Sequence, residues 1–91
     1  MRTPVYSGQF KRDIKRAEKR GKDMDKFKVL ARLLIDASSL PTRYRDHPLK
    51  GEWASFGDAH IEPDWLLIYK IDGDTVRFER TGTHADLLFD Q

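Results

Sequence analysis

Trp65-Leu66-Leu67-Ile68-Tyr69-Lys70-Ile71-Asp72-Gly73-Asp74-Thr75-Val76-Arg77-Phe78-Glu79-Arg80 is the stretch that decides the fold. Its first seven residues form the most apolar run of the chain and are too short for a core helix, so they predict a buried strand. Asp72-Gly73 is a hairpin signal, because a tight β-turn needs residues that tolerate positive φ. Thr75 to Arg80 alternates apolar with charged side chains, the period of a strand that buries one face. Working outward, Thr81-Gly82-Thr83 reads as a further turn and Ala85 to Phe89 as a last strand. On the other side, Trp53 and Phe56 bracket an expected short strand, and Gly57-Asp58 reads as a turn.

The front of the chain follows a different period. Thr3 to Tyr6 is β-prone, and Ser7 stands where an N-cap opens a helix. Phe10, Ile14 and Ala17 then fall at i, i+4 and i+7, one helical stripe, and Gly21 ends it. Asp23 caps a second helix with Phe27, Leu30, Ala31 and Leu34 on its apolar face. Ser38, Ser39 and Pro41 break that pattern, and Thr42 to Lys50 reads as an irregular, charged segment. The expected class is α+β: a short N-terminal strand, a two-helix hairpin, then a twisted antiparallel sheet.

With 91 residues, the chain is expected to form one domain over 1–91 around a modest core. A 38% hydrophobic content with 11% aromatics disfavours disorder. The absence of cysteine excludes a disulfide framework, a thiolate nucleophile and a cysteine-based zinc site. No apolar run long enough for a signal peptide or a membrane span is read, so a cytoplasmic location is expected. The net charge of +2 conceals a dipole. Residues 1–32 carry eleven Lys and Arg against four acids, whereas residues 33–91 carry six against eleven. A front third of charge +7 points to a polyanionic partner.

His47, His60 and His84 all lie in the C-terminal half near turns or strand edges. Histidine is the side chain whose ordinary pKa, about 6.5, suits proton transfer near neutrality. One such histidine alone reads first as a surface or hydrogen-bonded structural residue, but three on one small sheet-rich half shift the balance toward chemistry; their spacings of 13 and 24 match no metal-ligand motif, so no metal and no cofactor are expected. Arg80, a rigid fork of donors, suits a phosphate beside them. Arg, His and carboxylate together suit phosphodiester chemistry on RNA, which carries its own nucleophile in the 2′-hydroxyl. Trp65 reads equally as a base-stacking platform or as core, and Trp53 as core or sheet surface. No phosphate-binding GxxxxGK[ST] loop, GxGxxG turn or nucleophile elbow is present.

Three blocks carry a resemblance: Asp46-His47-Pro48-Leu49, Asp58-Ala59-His60-Ile61-Glu62-Pro63-Asp64-Trp65, and Arg77-Phe78-Glu79-Arg80-Thr81-Gly82-Thr83-His84. In that order, and with the opening Tyr6-Ser7-Gly8-Gln9-Phe10, the chain resembles the YafQ-type toxins, mRNA interferases of the RelE/ParE toxin superfamily. The resemblance spans nearly the whole chain and implies the same α+β fold. It implies a ribosome-dependent endoribonuclease that cuts mRNA in the ribosomal A site, favouring adenine-rich lysine codons. It also implies a cognate antitoxin, whose N-terminal part would take the complex to operator DNA. The family's active positions fall on His47, His60, Asp64, Trp65, Arg80 and His84. Its C-terminal Phe falls on Leu88, so the aromatic role passes to Phe89, one residue later. In the implied reaction the 2′-OH attacks the adjacent phosphorus, His84 is general acid, one of Asp64, His47 and His60 is base, and Arg80 neutralises the phosphorane. Lys11, Arg12, Lys15, Arg16, Lys19 and Arg20 are expected to hold ribosomal RNA. The alternatives are a non-enzymatic gyrase inhibitor of the same superfamily and a basic RNA-binding module with structural histidines.

Overall fold

A computed structural model describes residues 1–87. β1 (Thr3–Tyr6), α1 (Gly8–Lys19) and α2 (Met24–Ile35) come first, followed by β2 (His47–Pro48), β3 (Gly57–Glu62), β4 (Trp65–Asp72), β5 (Thr75–Gly82) and α3 (His84–Leu87). Both long helices begin where the sequence predicts. The Ser7 hydroxyl accepts from the Phe10 N–H at 2.9 Å, and the Asp23 carboxylate accepts from the Asp25 N–H at 3.1 Å. Gly21, at φ 77°, turns the chain between them through the left-handed region.

The sheet order is β1-β5-β4-β3-β2. β5, β4, β3 and β2 are successively antiparallel, while β1 joins β5 in parallel, with Thr3 opposite Thr75. Both faces of β4 are covered, which explains its unbroken apolar run. Leu67 and Tyr69 join Phe10, Leu30, Leu34 and Phe78 in the larger core under the helices. Leu66 and Ile68 join Leu49 and Leu87 in a smaller core on the opposite face. Phe10 of α1, Phe27 of α2 and Phe78 of β5 meet in tilted and edge-to-face contacts at 5.7 to 6.1 Å between ring centroids, fixing the helix pair to the sheet.

Four expectations are corrected. Residues 53–56 form no strand: Gly51–Trp53 is a 3₁₀ turn, and Trp53 lies 4.9 Å from Phe56 against the smaller core. Gly57-Asp58 is not a turn but the start of β3. A Cβ at Gly57 would lie 2.6 Å from the ring of its register partner Tyr69, so glycine serves close packing there. Thr81 and Gly82 continue β5 past a bulge that skips Glu79. The last strand expected at residues 85–89 is helical through Leu87, and its final residues lie outside the described ones. Thr83 and Asp86 set that helix reciprocally: the Thr83 N–H donates to the Asp86 carboxylate at 3.0 Å and the Asp86 N–H to the Thr83 hydroxyl at 3.1 Å. The irregular segment holds a 3₁₀ turn, Thr42–Tyr44, and the two residues of β2. Among the described residues, no helix is long and apolar enough to cross a membrane.

Candidate active site

Strand pairing brings the three histidines into one row. His47 on β2 faces Asp58 on β3, and His60 follows Asp58 by two residues, which puts both on one face of the strand. His84 opens α3 immediately after β5. The His60 ring centroid lies 5.9 Å from that of His47 and 5.9 Å from that of His84. Beside His60 an open pocket of about 280 Å³ is bordered by Arg43, Arg45 and Ile61.

Asp64, in the turn between β3 and β4, grips His84 twice. Its Oδ1 accepts from the His84 backbone N–H at 2.9 Å and lies 2.6 Å from the ring Nδ1. These bonds, the backbone one foremost, hold the Asp64 carboxyl below its usual range. An ionised Asp64 makes Nδ1 the donor nitrogen and leaves Nε2 as the nitrogen that can exchange a proton with substrate. His47 is oriented on its other side: Nδ1 lies 2.7 Å from the Arg45 carbonyl, which fixes that nitrogen as a donor, and Nε2 lies 3.5 Å from Asp58 Oδ2.

Asp58 is the residue that sequence reasoning missed. It is fully buried, and among the described residues neither carboxylate oxygen has a hydrogen-bond partner; the buried Nδ1 of His60 has none there either. Burial pushes the Asp58 carboxyl up, against the pull of nearby His60, His47 and His84. Reading Gly57-Asp58 as a turn hid the period-two signal linking Asp58 to His60. His47, Asp58 and His60 each offer a ligand atom within 4.8 Å of the others, so the described residues do contain a group able to hold a metal ion. Linear spacing could not show it, since the ligands meet across the β2–β3 ladder.

Arg80 lies partly buried and is bound to Asp13 of α1, Nε to Oδ2 at 2.7 Å. Trp65 belongs to the core: it is 1% exposed, and its indole N–H donates to the Thr81 hydroxyl at 3.0 Å. A base cannot stack on a ring enclosed in this way, which corrects the stacking expectation. Phe89 lies outside the described residues. The cations of α1 divide into two sets. Arg16 pairs with Asp13 at 3.1 Å within the helix and lies 3.8 Å from Asp86, and Arg20, at the helix C-cap, meets Asp86 through two nitrogens at 2.5 and 3.1 Å, so these two tie the end of α1 to α3. Lys11, Arg12, Lys15 and Lys19 are exposed and make no ion pair among the described residues.

Comparison with known proteins places this geometry. The mRNA interferase toxin YafQ of Escherichia coli K12 is 58% identical over 84 residues, 91% of each chain. The E. coli DinJ–YafQ complex holds a chain 56% identical with a TM-score of 0.89, covering 96% of this chain and 98% of that one. A metal-bound toxin from Helicobacter pylori is 35% identical with a TM-score of 0.90, over 96% of this chain and 99% of that one. A family model described as the bacterial toxin of type II toxin–antitoxin systems, YafQ, matches residues 2–89. The chain therefore belongs to the YafQ family of type II toxin–antitoxin toxins.

Proposed function

We propose that this chain is an mRNA interferase, a cytoplasmic endoribonuclease that cuts messenger RNA in the ribosomal A site by acid–base transesterification and is silenced by a cognate antitoxin. The observation that carries the reading is the row of three histidine rings ending in the Asp64–His84 pair. In the proposed step the 2′-hydroxyl gives its proton to His60, the nucleophilic oxygen bonds to the adjacent phosphorus, and the P–O5′ bond breaks. His84 gives a proton from Nε2 to the departing 5′-oxygen. Products are a 2′,3′-cyclic phosphate and a 5′-hydroxyl. Asp64 acts through His84, fixing its tautomer and ring orientation, rather than as the base. His47 and the buried Asp58 set the field around His60, and Arg80 offsets charge on the phosphorane. No step requires a metal.

The ribosome fits the exposed lysines of α1, which offer charge without base-reading geometry. The DinJ–YafQ complex supports an antitoxin for this chain, through whose own DNA-binding part the pair would reach operator DNA. The test is to add purified protein to ribosomes translating a defined message and to map the cut ends, with naked message alongside. Cuts confined to ribosome-bound message and clustered at lysine codons are expected. Equal cutting of naked message overturns the ribosome requirement, and inhibition of gyrase without any cutting overturns the nuclease.

A further inference from the structure

Asp13 is a carboxylate inside a helix rich in Lys and Arg, and its side chain has no solvent exposure. Unlike Asp58, it is saturated. Its two oxygens accept from Gln9 Nε2 at 3.1 Å, Arg16 at 3.1 Å, Arg80 Nε at 2.7 Å, Arg80 Nη2 at 3.4 Å and the Thr81 backbone N–H at 3.1 Å. In the sequence it occupies i+3 of the apolar stripe begun by Phe10, the place of a core residue. A buried charge at such a position costs stability unless it is fully paired, and its pairing here is directed at the last turn of β5.

We propose that Asp13 is a positioning residue that orients the Arg80 guanidinium for the phosphate. This rests on the role given to Arg80 above. A guanidinium has two forked edges, one formed by Nε and Nη2, the other by Nη1 and Nη2. Asp13 takes the first. The second edge keeps Nη1 without a partner among the described residues, and it matches two oxygens of a phosphorane in a bidentate contact. Two cations, Arg80 and Arg16, meet one carboxylate, so the cluster keeps a net positive charge. The Thr81 N–H bond ties the same carboxylate to the backbone beside Arg80, so the fork is aligned relative to the strand that leads into His84.

The experiment is a double-variant cycle in single-turnover cleavage on saturated, programmed ribosomes, using Asp13→Asn, Arg80→Ala and the pair. Asn keeps an acceptor for the Thr81 N–H but removes the charge that holds Nε. Asp13→Asn is expected to slow cleavage by on the order of 10- to 100-fold with ribosome affinity unchanged, and to slow the Arg80→Ala protein by less than about threefold further. A purely structural Asp13 would instead impose the same loss with or without Arg80, which overturns the proposal. If Arg80→Ala slows cleavage and Asp13→Asn does not, Asp13 is not a positioning residue while the role of Arg80 stands. If Arg80→Ala itself cuts at the parent rate, the role of Arg80 falls and the proposal falls with it. Should Asp13→Asn fail to fold, the parent protein supplies the reading. An exchange-protected Arg80 Nε–H nuclear magnetic resonance signal that inorganic phosphate leaves in place, while shifting the Nη signals, is expected; a freely exchanging Nε–H overturns the proposal.

Discussion

His84 depends on Asp64, and the pair gives the sharpest expectations at the scale of single residues. His84→Ala removes the proposed proton donor to the 5′-oxygen, and single-turnover cleavage should fall about 10²- to 10⁴-fold with ribosome binding nearly normal. Asp64→Asn keeps the shape but not the charge, so it should slow the same step while leaving a residual rate above that of His84→Ala. An Asp64→Asn protein as fast as its parent would separate Asp64 from the reaction. Asp58 makes the opposite kind of prediction. Its folded pKa lies above the ordinary carboxylate value because it is buried. The folded protein therefore binds that proton more tightly than the unfolded chain, and stability contributed by the protonated form is lost as pH rises from the ordinary range through the raised value. Asp58→Asn should raise the midpoint of thermal unfolding at pH 7, by an amount equivalent to about 1–3 kcal/mol, and by much less near pH 4. An equal change at both pH values contradicts this. Cleavage should be indifferent to EDTA at constant free magnesium. Added Zn²⁺ should slow it, since His47, Asp58 and His60 converge as ligands and a metal there takes the lone pair proposed to receive the 2′-OH proton.

At the scale of elements, α3 is only four residues long and is held from outside. Arg20 binds Asp86, whose carboxyl is drawn well below its usual range by that bond first and by Thr83 after it. A lowered carboxyl stabilises the fold above its unfolded pKa and loses that contribution as pH falls through the folded value. Asp86→Asn should thus lower the unfolding midpoint at pH 7, with the gap to the parent closing below about pH 4. It should also slow cleavage by loosening His84, and an unchanged rate would show that α3 needs no brace. The same region marks where the sequence ceased to be legible. β1, both long helices and the β4–β5 hairpin are written in caps, periodicity and turn residues within a few positions of one another. The helix at His84 is written in a Thr83–Asp86 pair that an apolar Leu87-Leu88-Phe89 run obscures, and its anchor lies 66 residues away in Arg20. His60 and His84 were visible as chemistry, but Asp58 and Asp13 were not, because an acid becomes informative only when its burial is known. Trp65 was legible as core or stacking platform alike, since the choice depends on Thr81 reaching its indole from the neighbouring strand.

For the whole molecule, the separation of charge is the governing feature. The excess of +7 in the first 32 residues lies largely on the two long helices, while the acids are spread over the strands and connections that follow them. Because Arg16 and Arg20 are engaged internally, the α1 cations left for the proposed RNA contact are Lys11, Arg12, Lys15 and Lys19. Reversing Lys11, Lys15 and Lys19 should weaken ribosome association and flatten its log–log salt dependence by about 0.7–0.9 per lost phosphate contact, with the unfolding midpoint nearly unchanged. An unaltered salt slope would make these lysines a solvated face. Expression of the chain alone should arrest growth, and co-expression of an antitoxin should relieve the arrest. The central claim is that histidine side chains move the protons of a transesterification, and the chemical identity of the cut ends tests it most directly. Message cleaved on programmed ribosomes by the parent protein should carry a 2′,3′-cyclic phosphate on one fragment and a 5′-hydroxyl on the other, with both ends vanishing in step when His84 is replaced by Ala; fragments ending in a 3′-hydroxyl and a 5′-phosphate would contradict the account.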